Sequence, residues 1–241
     1  MLMIKLQNLT KKFGSFTAVD NISLEIPSGQ FFGFLGPNGA GKTTTIKMMT
    51  GLYNPTHGDV LINSVSIIKS PVEVKKQIGY IPDQPFIYDK LTGREYLYFC
   101  GGLFEIENSK LEGKIEDLIK HFEISEWIDK RSENYSQGMS QRLIIAAAIL
   151  HDPKVIIIDE PMIGLDPRSA AIVKNVLKER SRNGSTVFMS THILHVAEEL
   201  CDRIAIINKG KIIFDYSHDE LQSFKHKYNG KLENLFLELT E

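Results

Sequence analysis

The chain has 241 residues, 42% of them hydrophobic and 24% charged. That composition excludes wholesale disorder, and a chain of this length buries about 70–75% of its unfolded surface without disulfide or metal staples. Its 28 Lys+Arg stand against 30 Asp+Glu, a net charge of −2 that argues against a protein built to coat nucleic acid.

The length exceeds one minimal domain and falls short of two typical ones, so one large α/β domain or a core with an insertion is expected. Cys100 and Cys201 lie far apart with no Cys-x-x-Cys, so two free thiols are expected, with no disulfide framework and no zinc site. The opening Met1-Leu2-Met3-Ile4-Lys5 turns polar at once and does not read as a signal peptide. No apolar run reaches the roughly 18–20 residues that cross a bilayer. The longest, 143–150 and 155–158, have the length of buried elements.

In chain order, Leu2, Ile4 and Leu6 alternate with polar neighbours, as do Ile22, Leu24 and Ile26, which predicts two strands. Pro27-Ser28-Gly29 is a turn signal, and Phe31–Leu35 is the short apolar run of a strand buried on both faces. A glycine-rich stretch, 36–41, leads into a helix from Lys42 to Met49, and His57-Gly58-Asp59 opens a strand at 60–62. From Gly93 to about Leu150 the pattern is helical. Leu111, Ile115, Leu118, Ile119 and Phe122 fall on one face of a 3.6-residue period. Strands return at 155–158 and 187–189, with a helix at 168–182 between them. Asn208-Lys209-Gly210-Lys211 is a hairpin turn between strands 204–207 and 212–214. Leu232, Leu235, Phe236 and Leu239 trace a short amphipathic helix, expected to cover the core or to meet a second copy. Strand–helix alternation at both ends of a helical middle predicts a parallel-sheet nucleotide domain with an all-α insertion.

Gly36-Pro37-Asn38-Gly39-Ala40-Gly41-Lys42-Thr43 fits G-x-x-x-x-G-K-[ST], with Thr44 next on the helix. Polyphosphate is dense negative charge. A loop of small residues turns its N–H groups inward around it, and the start of the following helix adds partial positive charge. Lys42 reaches the β- and γ-phosphates, and the Thr43 hydroxyl is a ligand for Mg²⁺. The second element is the apolar run 155–158 ending in Asp159-Glu160. Asp159 is placed to hold Mg²⁺ and Glu160 to polarise an attacking water. A guanine-reading Asn-Lys-x-Asp is absent, since Asn208-Lys209-Gly210-Lys211 ends in the wrong charge, and a small-molecule kinase needs no second acid after Asp159.

Tyr135-Ser136-Gln137-Gly138-Met139, followed by Ser140-Gln141-Arg142, resembles the signature loop of the ATP-binding-cassette (ABC) ATPases, whose consensus is Leu-Ser-Gly-Gly-Gln. Pro161-Met162-Ile163-Gly164-Leu165-Asp166 resembles their D-loop, and Ser190-Thr191-His192 their switch histidine. Phe13 sits where the family stacks an aromatic on adenine. The resemblance runs from about Leu6 to Ser217 with the motifs in family order. It implies a P-loop NTPase (RecA-like) core with a mostly parallel sheet, an N-terminal antiparallel β region and an inserted α-helical subdomain. The expected layout is one ABC ATPase domain over 1–241. Residues 1–90 and 151–220 form the catalytic core, 91–150 the helical signature subdomain and 221–241 the C-terminal helix.

The resemblance implies further roles. Ser136 and Gly138 form an anion site facing the γ-phosphate held by another protomer. Asp166 acts across that dimer, caps its own helix, or does both. Lys42, Glu160 and His192 serve hydrolysis, and His192 positions the γ-phosphate or water. The sequence departs from the consensus at Gln137 and at Met139, which is expected to pack. It also departs at the Mg²⁺-sensing Gln. Counting back from Thr92 by the family spacing lands on Asp83, with Gln84 one residue late; the register favours Asp83 as a Mg²⁺ ligand.

The function implied is an Mg²⁺-dependent ATPase subunit that dimerises on ATP, as homodimer or heterodimer. It would drive separately encoded membrane subunits from the cytoplasmic face of the membrane, with no insertion of its own and no nucleic-acid partner. Tyr80-Ile81-Pro82-Asp83, Tyr135-Ser136 and Gly164-Leu165-Asp166-Pro167 look most like the drug-, peptide- and lipid-exporting branch. The stretch after Phe214 leaves no room for the regulatory domain of sugar importers. The alternative is a soluble ABC ATPase acting on nucleic acid or ribosomes, which the neutral charge and the lack of a long coiled-coil insertion disfavour. Cargo is not written in this chain.

Overall fold

The computed structural model describes residues 1–84, 86–162 and 164–217, with positions 220 and 236. Two sheets carry it. The first is built on a long hairpin, β1 (Leu2–Phe13) and β2 (Phe16–Pro27), joined by β4 (His57–Ile62) and β5 (Val65–Ser66) in the order β2-β1-β4-β5, all antiparallel. The second has six strands in the order β10-β9-β3-β8-β7-β6. These are β3 (Phe31–Leu35), β6 (Ile78–Ile81), β7 (Val155–Asp159), β8 (Thr186–Thr191), β9 (Arg203–Asn208) and β10 (Lys211–Ser217). Five run parallel and β10 closes the edge antiparallel, through the hairpin that the Asn208–Lys211 turn predicts.

The central strands are apolar throughout because both faces are covered. On β7, Ile156 and Ile158 face one core and Val155 and Ile157 the other. The first core joins the sheet to the helical middle. The second joins it to the antiparallel sheet and to α1 (Lys42–Met49). Burial of β7 on both faces is worth about 2 kcal/mol per large side chain.

The helical middle holds α3 (Gly93–Leu103), α4 (Asn108–His121) and α5 (Gln137–Ile149). Thr92 and Glu95 form a capping box that starts α3. Leu111, Ile115, Leu118 and Ile119 are the buried stripe of α4, as their spacing predicts, and Phe122 is buried beside them. From Leu143 to Ile149 helix α5 is apolar all round, which fits its place between sheet and helices. Helix α6 (Pro167–Arg182) precedes β8, and α7 (Leu194–Leu200) follows it.

Four elements carried no clear signal in the sequence: the two-residue β5, the short α2 (Pro71–Lys75), β6 and α7. In β6 a glycine and a tyrosine interrupt the apolar pattern. Gly79 is required there, because a Cβ on it would overlap the carbonyl of Ala148 in α5. Cys100 and Cys201 are free thiols. Of the predicted tail helix, Leu232, Leu235 and Leu239 lie outside the described residues, and Phe236 packs on the first core.

Candidate functional site

Parallel strands in register end together. Leu35 pairs with Thr191, Asp159 with Ser190, and Ile81 with Ile158. The loops after β3, β6, β7 and β8 therefore open at one edge of the sheet, where ligands of open α/β sheets bind.

After Leu35 the chain turns through the glycine-rich loop. Gly39 and Gly41 have φ of +81° and +112°, a region that glycine enters without strain. A Cβ on Gly41 would also stand 2.6 Å from the Ala18 carbonyl, and Gly41 then caps α1. The Gly210 N–H of the β9–β10 turn donates to the Ala40 carbonyl at 2.9 Å and braces the loop from behind. Gly36 and Ala40 are buried, Pro37 is half-buried, and Asn38 and Gly39 are exposed at the mouth; Thr43 and Thr44 are half-buried on the first turn of α1.

Lys42 is only 6% exposed. A buried ammonium must be paired. Its Nζ donates to the carbonyls of Gly36 at 2.8 Å and Pro37 at 3.3 Å, and stands 3.5 Å from Glu160 Oε1. Asp159 is fully buried at the end of β7. Its Oδ1 accepts from the Ser190 hydroxyl at 2.5 Å, and its Oδ2 is buried with no hydrogen-bond partner. Burial holds its carboxyl above the usual carboxylate range, against the bond from Ser190 and the nearby Thr43 hydroxyl; the charges of Asp83 and Glu160 push the same way as burial. Asp83, just past β6 and exposed, thus shares a field with Asp159. The Tyr80 phenol is pushed up to about 12 by burial, then by Asp159 and Asp83. Gln84 is exposed beside it.

Glu160 adopts φ of +52°, a costly conformation for a side-chain-bearing residue. Its N–H donates to the Ser190 carbonyl at 3.2 Å, which fixes the turn. His192 Nδ1 lies 3.0 Å from both carboxylate oxygens. An ionised carboxylate only accepts, so Nδ1 carries the proton and donates.

Phe13, at the tip of the β1–β2 hairpin, is 45% exposed. It meets Tyr53 edge-on at 5.7 Å, and Lys11 Nζ lies 5.1 Å from its ring centre. Tyr53 is the residue at this site that sequence reasoning missed. Its signal was an aromatic just after the phosphate-binding helix, tied back by its N–H to the Lys47 carbonyl at 2.9 Å.

Ser136, Gly138 and Asp166 gather elsewhere, at the starts of α5 and α6. Ser136 caps α5, accepting from the Met139 N–H at 3.3 Å, and Met139 packs on the first core. Asp166 caps α6: Oδ1 accepts from the N–H groups of Arg168 and Ser169, both at 3.0 Å, and Oδ2 from the Ser169 hydroxyl at 2.6 Å. The Ser169 bonds, more than that from Arg168, hold the Asp166 carboxyl below its usual range.

The model of the ABC transporter family matches residues 19–163. Over 239 residues the chain is 34% identical to the ABC transporter ATP-binding protein NatA of Bacillus subtilis, covering 97% of this chain and 92% of that one. It is 37% identical to the bacitracin transport ATP-binding protein BcrA of Bacillus licheniformis, over 94% of this chain and 73% of that protein. Among solved structures, an ATP-binding subunit of an ABC transporter superposes with a TM-score of 0.91 at 28% identity, over 99% of this chain and 100% of that one. A cassette solved as a dimer in a post-hydrolysis state with ADP and Pi superposes at 0.81 and 27% identity, over 90% of this chain and 99% of that one. Motifs, fold and relatives agree: the chain belongs to the ABC transporter family, as its ATP-binding, ATP-hydrolysing subunit.

Proposed function

We propose that this chain binds Mg²⁺–ATP at the edge of its parallel sheet and pairs with a second ATPase subunit over the nucleotide. The opening and closing of that pair would drive separate membrane subunits on the cytoplasmic face of the membrane. One observation carries the reading. The sheet edge brings Lys42, Thr43, Asp159, Glu160 and His192 together, while Ser136, Gly138 and Asp166 sit apart on two helix N-termini. A chain whose anion-binding elements lie in two places completes each site with another copy.

Each residue then has its task. The loop N–H groups from Gly36 to Gly41 and the Lys42 ammonium cradle the phosphates. Phe13 offers its exposed ring to the base. Mg²⁺ fits the orphaned Asp159 Oδ2 beside the Thr43 hydroxyl, with Asp83 close enough to act through water; when bound it neutralises charge on the phosphates. Glu160 holds a water for attack, oriented by the two-oxygen contact with His192. The direction is export, as the names of the bacitracin transport protein and of a SkfA peptide export ATP-binding protein at 35% identity suggest. Among the described residues no helix is long and apolar enough to cross a membrane, which fits a peripheral subunit.

The test is Glu160→Gln, which removes the carboxylate base and leaves the cradle intact. It should bind ATP, hydrolyse at least about a hundredfold more slowly and trap a dimer. Turnover at the parent rate overturns the assignment of Glu160. Affinity purification from membranes should recover an integral membrane protein; recovery of nucleic acid or ribosomes instead overturns the transport reading.

A further inference from the structure

Gln137 stands where the family consensus has a glycine, and it opens α5 directly after the Ser136 cap. Gly164, in the loop between β7 and α6, has φ of +74°. A Cβ added to Gly164 would overlap the Gln137 side chain, with Cδ, Nε2 and Oε1 all equally close to it. Equal distances to the three atoms mean that the amide presents its flat face to the Gly164 backbone. One residue on, Gly138 is buried, and a Cβ there would stand 3.3 Å from Ser169 Oγ and 3.4 Å from Asp166 Oδ2.

A third contact closes the same junction from the solvent side. Glu123, just past α4, accepts from Arg168 Nε at 3.1 Å and from Arg168 Nη2 at 2.5 Å. The Glu123 carbonyl accepts from Arg142 Nη1 at 3.4 Å, and Arg142 Nε donates to the Gly138 carbonyl at 3.4 Å. The Arg142 guanidinium also lies 5.3 Å from the Trp127 ring centre. The start of α5 and the segment leading into α6 therefore lie close together at Gln137–Gly164 and at Gly138–Asp166, and Glu123 bridges them through Arg142 and Arg168.

We propose that Gln137 is a positioning residue that makes the Ser136–Gly138 turn and the Gly164–Asp166 loop one rigid body. When nucleotide draws Ser136 of one copy onto another, the Gly164–Asp166 loop of the same chain arrives with it already placed. Glycine at 137 would leave the loop to find its place after contact, at an added entropic cost to dimer formation. The inference rests on the dimer reading above.

The experiment uses the full chain carrying Glu160→Gln, with sedimentation velocity in Mg²⁺–ATP and, separately, titration of the monomer with a fluorescent ATP analogue. Adding Gln137→Ala should raise the dimer dissociation constant about tenfold and change the monomer's nucleotide affinity less than about twofold. Gln137→Met, which keeps the reach of the side chain, should stay near the parent. With Glu160 intact, Gln137→Ala should raise the ATP concentration for half-maximal rate and leave the maximal rate near the parent's at high protein concentration.

If the Glu160→Gln parent does not dimerise, the dimer reading itself fails. A dimerising parent matched by an equally dimerising Gln137→Ala overturns the proposal alone, as does a parallel loss of monomer nucleotide affinity. Should Gln137→Ala not fold, Glu123→Ala carries the test, since it loosens the same junction from an exposed position. It must weaken the dimer while sparing nucleotide affinity, and an unchanged dimer constant overturns the proposal.

Discussion

His151 lies at the end of α5 in a groove of about 400 Å³ lined by Tyr80, Phe86, Tyr96 and Phe104 among others. Its ring stacks flat on Phe104, with centroids 3.6 Å apart and planes within 4°. Burial pushes the imidazole from 6.5 down to about 4, against smaller upward pulls from the Ile78 backbone and the Asp152 charge, with Lys114 adding a little to the fall. The native state therefore keeps the ring neutral over a range in which the unfolded chain takes up a proton. A depressed histidine costs nothing well above 6.5; the cost sets in as pH falls through that value and is complete below about 4. Those two constants give a loss of about 2 kcal/mol between about pH 7.5 and pH 5, and the residue's partial exposure trims this to about 1–2 kcal/mol. His151→Leu keeps the apolar volume against Phe104 and removes the titration. Denaturant unfolding of parent and variant at the two pH values measures it. The variant should lose about 1–2 kcal/mol less than the parent on acidification, whatever its stability at neutral pH. Parallel losses would refute the claim that His151 is held neutral by the fold.

The nucleotide edge yields two further expectations and the packing of β6 on α5 a third. Lys42→Ala removes the buried ammonium and should weaken binding of a fluorescent ATP analogue at least about tenfold, with little change in thermal midpoint in the absence of nucleotide. Asp83→Ala should uncouple ATP hydrolysis from the membrane subunits, measured as ATPase rate with and without them, while Gln84→Ala should not; the reverse result shifts the register by one residue. Gly79→Ala drives a methyl into the Ala148 carbonyl and to 3.0 Å from Pro153 Cγ, and should cost about 1–3 kcal/mol in chemical denaturation.

The strands and helices that could be read from the sequence are those whose environment is one-dimensional. The run 155–158 is apolar at every position because both faces of β7 are covered, and α4 shows one stripe because one face is. The phosphate loop is legible for a backbone reason: Gly39 and Gly41 occupy conformations other residues avoid. Strand β6 escaped because the need for Gly79 comes from α5, nearly seventy residues later, and that neighbour leaves no periodic mark on the sequence. The same holds for Tyr53 against Phe13 and for Gln137 against Gly164: each pair is made by tertiary packing. Asp166 is legible as the cap before Pro167, and in the structure it caps α6 through the Arg168 and Ser169 N–H groups; only the further bond from the Ser169 hydroxyl is seen in three dimensions alone.

The contacts around Lys42 explain how the site can be both stable alone and ready for nucleotide. A buried ammonium left unpaired would cost several kcal/mol, so the fold must satisfy it. It does so with the chain's own carbonyls, Gly36 and Pro37, and with Glu160 at 3.5 Å. Phosphate oxygens at the loop offer the ammonium denser negative charge than two neutral carbonyls do, so exchange of partners is favourable. On the proposed reading Glu160 would then lose Lys42 without being cast loose. Its carboxylate keeps both oxygens on His192 Nδ1, and its backbone N–H keeps Ser190. Glu160 holds its φ of +52° with its N–H on the Ser190 carbonyl, and in that conformation its carboxylate lies beside both Lys42 and His192. On the proposed reading, nucleotide binding would free Glu160 from the cation that holds it in the lone chain and leave its contacts with His192 and Ser190 in place, as a base that must face water requires.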